Sequence, residues 1–231
     1  MRAEFGSEEQ KEFVLKKIII LANGKPPAKK VINYLQSSGY NTLICADGGA
    51  DTAKKLGIIP DYIIGDFDSV KEETLGYYRK KSEIINIKRQ NDTDVEKCLK
   101  FAIKKKCKEA VLLGAIGDRL DHSFCNMGIV IKFFSKIKVR IISDKSILTP
   151  CTGQVELTTI PDETISLYGF DEKTKTTSSG LKYPLKQTPL PFGQRESTSN
   201  VAVKEKVRLK ITGGIIFVIR DFNTLKKHDL I

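Results

Sequence analysis

Up to residue 144 the chain repeats one pattern that leaves few folds open: short β-branched and aliphatic runs separated by amphipathic stretches. Residues 18–21, 42–46, 62–64, 84–87, 110–113 and 139–142 read as strands, several bounded by Gly or Asp. The clearest helix opens at Thr93, where Thr93-Asp-Val-Glu96 spells a capping box and Val95, Cys98, Leu99, Ala102 and Ile103 recur at helical spacing. Strands joined through helices pair in parallel, so this half predicts a layered α/β fold with a mostly parallel sheet.

After residue 144 the helical period disappears. Residues 154–160, 164–170, 201–203, 206–211 and 215–221 read as strands, which makes the second half all-β. Thr212-Gly213-Gly214 between two of these runs predicts a hairpin turn, because glycine accepts the positive φ of primed turns. Residues 171–199, rich in Thr, Ser, Pro and Gly, read as exposed loops and as a place for ligand contacts. The expected division is a leader at 1–15 outside the fold, whose first seven residues look like a tag remnant, then an α/β domain at 16–144 and a β domain at 145–231.

Composition removes several classes. Hydrophobic residues make up 40% of the 231 positions and charged residues 29%, which excludes disordered and collagen-like chains. The apolar stretch 18–22, like every other in the chain, is far below the roughly 18 residues that span a bilayer, and no signal-peptide pattern opens the chain. The expectation is therefore a cytoplasmic protein without a membrane partner. Five cysteines at wide spacing and two histidines suggest neither a disulfide framework nor a zinc site, and read as buried thiols in a reducing compartment. The net charge of +11 favours anionic partners, from nucleic acid to a phosphorylated small molecule. Its lysines fall in scattered doublets, which read as solvated faces.

Acidic residues collect where strands should end. Asp47 precedes Gly48-Gly49, Asp66 and Asp68 follow an apolar run, Asp92 and Asp94 open the capped helix, and Asp118 and Asp121 follow a Gly-rich turn. The carboxyl ends of parallel strands form the binding crevice of open α/β sheets, so these segments are expected to converge. Carboxylates so placed repel unless a cation neutralises them, and hard oxygen ligands with few histidines suit Mg²⁺. Asp66 and Asp68 point to one side if the backbone between them is extended. The glycines allow close backbone approach, and Arg119 offers a fork of donors suited to phosphate oxygens. Each element also has a plainer reading: Asp92 and Asp94 as helix-start acids, Asp47-Gly48-Gly49 and Asp66-Phe67-Asp68 as turns, His122 as a structural hydrogen-bonding residue.

As a set, Ala46-Asp-Gly-Gly-Ala50, Pro60-Asp-Tyr-Ile-Ile-Gly-Asp-Phe-Asp-Ser69, Gln90-Asn-Asp-Thr-Asp94 with Lys97-Cys-Leu99, and Gly117-Asp-Arg-Leu-Asp-His122 with Asn126 resemble the thiamine pyrophosphokinase family. In the second half Thr177-Ser-Ser-Gly-Leu-Lys-Tyr-Pro-Leu185 and Ser197-Thr-Ser-Asn200 agree. The resemblance implies a C-terminal β-sandwich and a homodimer whose sites lie between the α/β domain of one subunit and the sandwich of the other. It implies transfer of pyrophosphate from ATP to the hydroxyl of thiamine, with Mg²⁺ and release of AMP. By position, Asp66, Asp68 and Asp94 hold the metal, and Asp47, Gly48, Gly49, Arg119 and Asn126 serve the nucleotide. Asp94 or Asp121 accepts the hydroxyl proton. Gln90, Thr93, Thr177, Ser178, Tyr183 and Ser199 fall on the thiamine side, with Tyr183 where some relatives carry tryptophan; a tyrosine has the weaker π face for a cationic ring.

Two other readings compete. Asp66 and Asp68 match the nucleophile and acid of a haloacid-dehalogenase-like phosphatase, although that motif normally follows the first strand. A basic nucleic-acid-binding module would use the net charge, but no basic, Gly-flanked aromatic motif accompanies it.

Overall fold

The computed structural model describes residues 17–89, 91–117 and 119–230; the leader, Gln90 and Asp118 lie outside the described residues. Six parallel strands, β1 (Lys17–Leu21), β2 (Thr42–Ala46), β3 (Tyr62–Gly65), β4 (Glu83–Asn86), β5 (Glu109–Leu113) and β6 (Lys138–Ile142), form the first part of the sheet in the order β6-β5-β1-β2-β3-β4. Five helices cover its faces: α1 (Lys29–Ser37), α2 (Gly49–Lys55), α3 (Glu72–Tyr78), α4 (Asp94–Lys104) and α5 (Leu120–Phe133). β1, β2 and β5 are buried along their length except Lys17, as expected of strands covered on both sides. One core packs α4 and α5 on the sheet through Val95, Leu99, Val130 and Phe133, and the other packs α1 and α2 through Ile32, Leu35 and Ala53.

The chain runs outward from β1 through β2, β3 and β4, then crosses back to place β5 on the other side of β1. The reversal makes a topological switch point between the carboxyl ends of β1 and β5, where sheets of this kind bind ligands.

The strand-rich half continues the same sheet. β7 (Ser146–Thr158) pairs antiparallel with β6 and, along almost its whole length, with β12 (Lys206–Asp221). The first half of β12 pairs with β9 (Lys175–Ser179), which carries β10 (Thr188–Pro189). Its second half pairs with β8 (Thr164–Tyr168), which carries β11 (Ser197–Val201). Ile165, Leu167, Leu181, Val207, Leu209 and Val218 fill the core between these layers, which gives the expected sandwich.

Several expectations are corrected. Thr212-Gly213-Gly214 is no hairpin: it is a bulge inside one sixteen-residue strand, where the register shifts between Ile211 opposite Gly153 and Ile216 opposite Cys151. Gly213 has φ +86, and a Cβ there would meet the Lys173 carbonyl oxygen at 2.5 Å, so the bulge needs the same residue a turn would. Residues 171–199 contain β9, β10 and the start of β11, and the run read at 201–203 is the end of β11 followed by a single bridge from Ala202 to Leu181. A short helix, α6 (Phe222–Lys227), follows β12, capped by Asp221 Oδ1, which accepts from Thr224 N at 2.6 Å. Phe222 and Leu225 bury themselves in the α1 and α2 core of the first half. Four cysteines are buried as expected, but Cys125 is exposed on α5.

Candidate active site

At the switch point the turns after β1, β2 and β5 and the first turns of α4 and α5 enclose a cleft of about 460 Å³. Asp47, Gly48, Ser69, Asp94, Arg119 and Asn126 are among its walls. α4 starts here because the predicted capping box forms: Glu96 N donates to Thr93 Oγ1 at 3.3 Å and Thr93 N to Glu96 Oε2 at 3.2 Å.

Carboxylate oxygens of Asp47, Asp66 and Asp68 lie within 4.8 Å of one another. Asp66 and Asp68 do converge, but not through extended backbone: Phe67 between them is left-handed at φ +67. Asp47, at φ +42, follows β2 directly and is only 1% exposed. Gly65 at the end of β3 admits it, since a Cβ there would meet Asp47 Cβ at 2.8 Å. Asp47 Oδ2 accepts from Ser69 N at 3.2 Å, while Oδ1 is buried without a hydrogen-bond partner.

Burial pushes the Asp47 pKa up to about 6, with the Asp68 and Asp94 carboxylates adding to the rise against the Ser69 N–H. Asp68 is held low, chiefly by the Ser69 hydroxyl, which donates to its Oδ1 at 2.9 Å. An orphaned buried oxygen beside two further carboxylates is a good match to a hard divalent cation, which satisfies the oxygen and removes the repulsion together.

Asp94 sits differently from the metal-ligand expectation. The Lys97 ammonium, 3% exposed, lies 2.8 Å from Asp94 Oδ1 and 3.4 Å from Asp66 Oδ2, and Asp94 is outside the group of three. Burial works against the charge on Lys97, but hydrogen bonds to Asp94 and Asp66 outweigh it and hold its pKa above the usual value. Reading the sequence for acids alone missed this lysine; the i, i+3 pairing of Asp94 with Lys97 on the capped helix was the available signal.

The nucleotide-side residues divide. Gly48 lines the cleft, whereas Gly49 packs α2 onto β1, its Cα facing the Leu21 carbonyl oxygen. Arg119 lines the cleft with its guanidinium forked onto exposed Asp121, and that pairing holds the Asp121 pKa down to about 2. Asn126 is buried and donates from Nδ2 to the Ala115 carbonyl at 2.7 Å, bracing the turn after β5. His122 also lines the cleft.

Of the thiamine-side residues only Thr93 lines the cleft; Gln90 lies outside the described residues. Ser178 is buried, with its Oγ accepting from Leu185 N at 2.9 Å, and Thr177 Oγ1 accepts from Gln187 N at 3.1 Å. Tyr183 is 62% exposed, and its backbone is gripped on both sides by the Asn200 side chain. Ser199 is left-handed at φ +53.

The model of the thiamin pyrophosphokinase catalytic domain matches residues 33–142, and that of the family's vitamin B1 binding domain matches residues 153–216. A rice thiamine pyrophosphokinase 3 is 30% identical over 198 residues, covering 73% of this chain and 74% of the relative. The chain belongs to the thiamin pyrophosphokinase family. A thiamin pyrophosphokinase 1 of Caenorhabditis elegans is 27% identical over 229 residues, 92% of each chain. The crystal structure of a Bacillus subtilis thiamine pyrophosphokinase superposes with TM-score 0.76 at 25% identity, covering 89% of this chain and 99% of that one. The Candida albicans thiamin pyrophosphokinase shares the fold with TM-score 0.78 at 20% identity over 89% of each chain. As a family of thiamin pyrophosphokinases this is an enzyme family, and neither the phosphatase nor the nucleic-acid reading gains support.

Proposed function

We propose that this chain transfers the pyrophosphoryl group of ATP to thiamine, giving thiamine diphosphate and AMP, with Mg²⁺ held by Asp47, Asp66 and Asp68. The unpartnered, buried Asp47 oxygen in a three-carboxylate cluster at the switch-point cleft carries this reading. The thiamine hydroxyl oxygen attacks the β-phosphorus, the bond from that phosphorus to the α,β-bridging oxygen breaks, and AMP departs with that oxygen. Bound Mg²⁺ neutralises charge on the phosphate oxygens as it moves from acceptor to leaving group. Asp66 and Asp68 are aligned for the metal by the left-handed turn at Phe67, and Asp47 by the space at Gly65. Arg119 exchanges Asp121 for phosphate oxygens, which match its fork equally well. Asp94 is the better proton acceptor of the two aspartates considered: it lines the cleft, whereas Asp121 does not and is held near pKa 2 by Arg119.

The α/β half takes ATP and Mg²⁺ in this reading, and the sandwich takes thiamine. Ser178 and Thr177 shape the loop at Leu185 and Gln187 through their hydroxyls, while the exposed Tyr183 ring is left to stack on a cationic heterocycle. Tyr183, Thr177, Ser178 and Ser199 do not line the cleft of their own chain, and Leu120 and Phe124, one turn apart beside it, are exposed. A homodimer in which each sandwich closes the partner's cleft uses both facts. No described helix is long and apolar enough to cross a membrane, and the unpaired buried thiols support a reducing, cytoplasmic setting.

Incubation with thiamine, ATP and Mg²⁺ is expected to yield thiamine diphosphate and AMP in equal amounts, with neither formed in EDTA or by Asp66→Asn. Thiamine bound without either product would defeat the assignment.

A further inference from the structure

Asp66 faces two ways. Its carboxylate joins Asp47 and Asp68 in the cluster, and its Oδ2 lies 3.4 Å from the Lys97 ammonium, which also holds Asp94 Oδ1 at 2.8 Å. Two carboxylates, one of them part of the three-acid cluster, therefore share one buried ammonium. Sites that act on phosphates often hold two divalent ions about 4 Å apart, bridged by a shared carboxylate. Asp66 has the position of such a bridge, but its second side already carries a positive charge. A divalent ion there would need oxygens at about 2.1 Å, and the side chain of Lys97, 3% exposed, fills that volume. The unpartnered Asp47 Oδ1 marks the other side as the open one.

We propose that Lys97 sets the cation count of this site: its ammonium stands in for a second metal between Asp66 and Asp94, limiting the chain to one tightly held divalent ion. The inference rests on reading the cluster as a metal site, and not on the transfer reaction. It makes Lys97 a positioning residue, which fixes where the ion sits relative to Asp94 and keeps that carboxylate off the metal.

The test counts Mn²⁺ by the loss of its free electron paramagnetic resonance signal, using the metal-stripped full chain without nucleotide or thiamine. Wild type is expected to bind one ion per chain tightly. Folded Lys97→Met is expected to bind two, and Lys97→Gln serves the same purpose should the methionine variant not fold. Two tightly bound ions on wild type would overturn the proposal without any variant, as would a folded neutral variant that still binds one. A wild-type chain binding none would overturn the metal reading itself, and with it this proposal, whatever the product assay shows.

Discussion

At Asp47 two demands conflict: the carboxyl is buried as though it were apolar, yet one oxygen has no partner. Its pKa is pushed up to about 6 from the ordinary 3.8. Between about pH 4 and about pH 6 the metal-free folded chain keeps a proton that the unfolded chain has released, so stability falls as pH rises through that window. In EDTA the wild type is expected to lose on the order of 2 kcal/mol relative to Asp47→Asn across it, measured by thermal unfolding. Saturating Mg²⁺ should reduce the difference, because the cation replaces the proton. Equal pH slopes for the two proteins would show that the strain is absent. Much of this site was legible: acids after apolar runs announced Asp47, Asp66 and Asp68. Reading the acids alone did not reveal the left-handed residue that turns Asp66 and Asp68 together, since Phe67 is no glycine or asparagine that would mark a positive φ. Nor did it reveal the cation that takes Asp94, whose local i, i+3 spacing was available but whose second contact, to Asp66, needs α4 packed beside β3.

Among elements, β1, β2, β5 and the capped α4 were the most readable because burial on both faces writes a continuous apolar run and a capping box is local. β12 was misread because a bulge and a hairpin draw on the same glycine; only its pairing with β7 decides between them. α6, at six residues, is too short to show a period, but its Asp221 cap is a usable signal. Replacing Asp221 with alanine is expected to cost about 1 kcal/mol and lower the melting temperature by about 2–4 °C, with turnover unchanged. A loss of turnover at unchanged stability would mean that the end of β12 reaches the site.

For the whole molecule, the distribution of thiamine-side and nucleotide-side residues leads to a mixing experiment. Asp66→Asn and Tyr183→Ala subunits, each poorly active alone, are unfolded and refolded together in equal amounts. In the proposed homodimer half the dimers are then mixed, and each holds one site with both natural halves, so about a quarter of wild-type activity should return. No recovery, with mixed dimers demonstrated, would place both residues in a site within one chain.

The burial of Phe222 and Leu225 among α1 and α2 has a bearing on how the protein is made. Those side chains come from α6, which follows the whole sandwich, yet the layer they complete belongs to α1 and α2. While the ribosome is still at work, the early helices must wait with a gap where Phe222 will stack edge-on against Tyr34. The nascent first half is thus an unfinished template, closed only once α6 has been made and folds back to seal it.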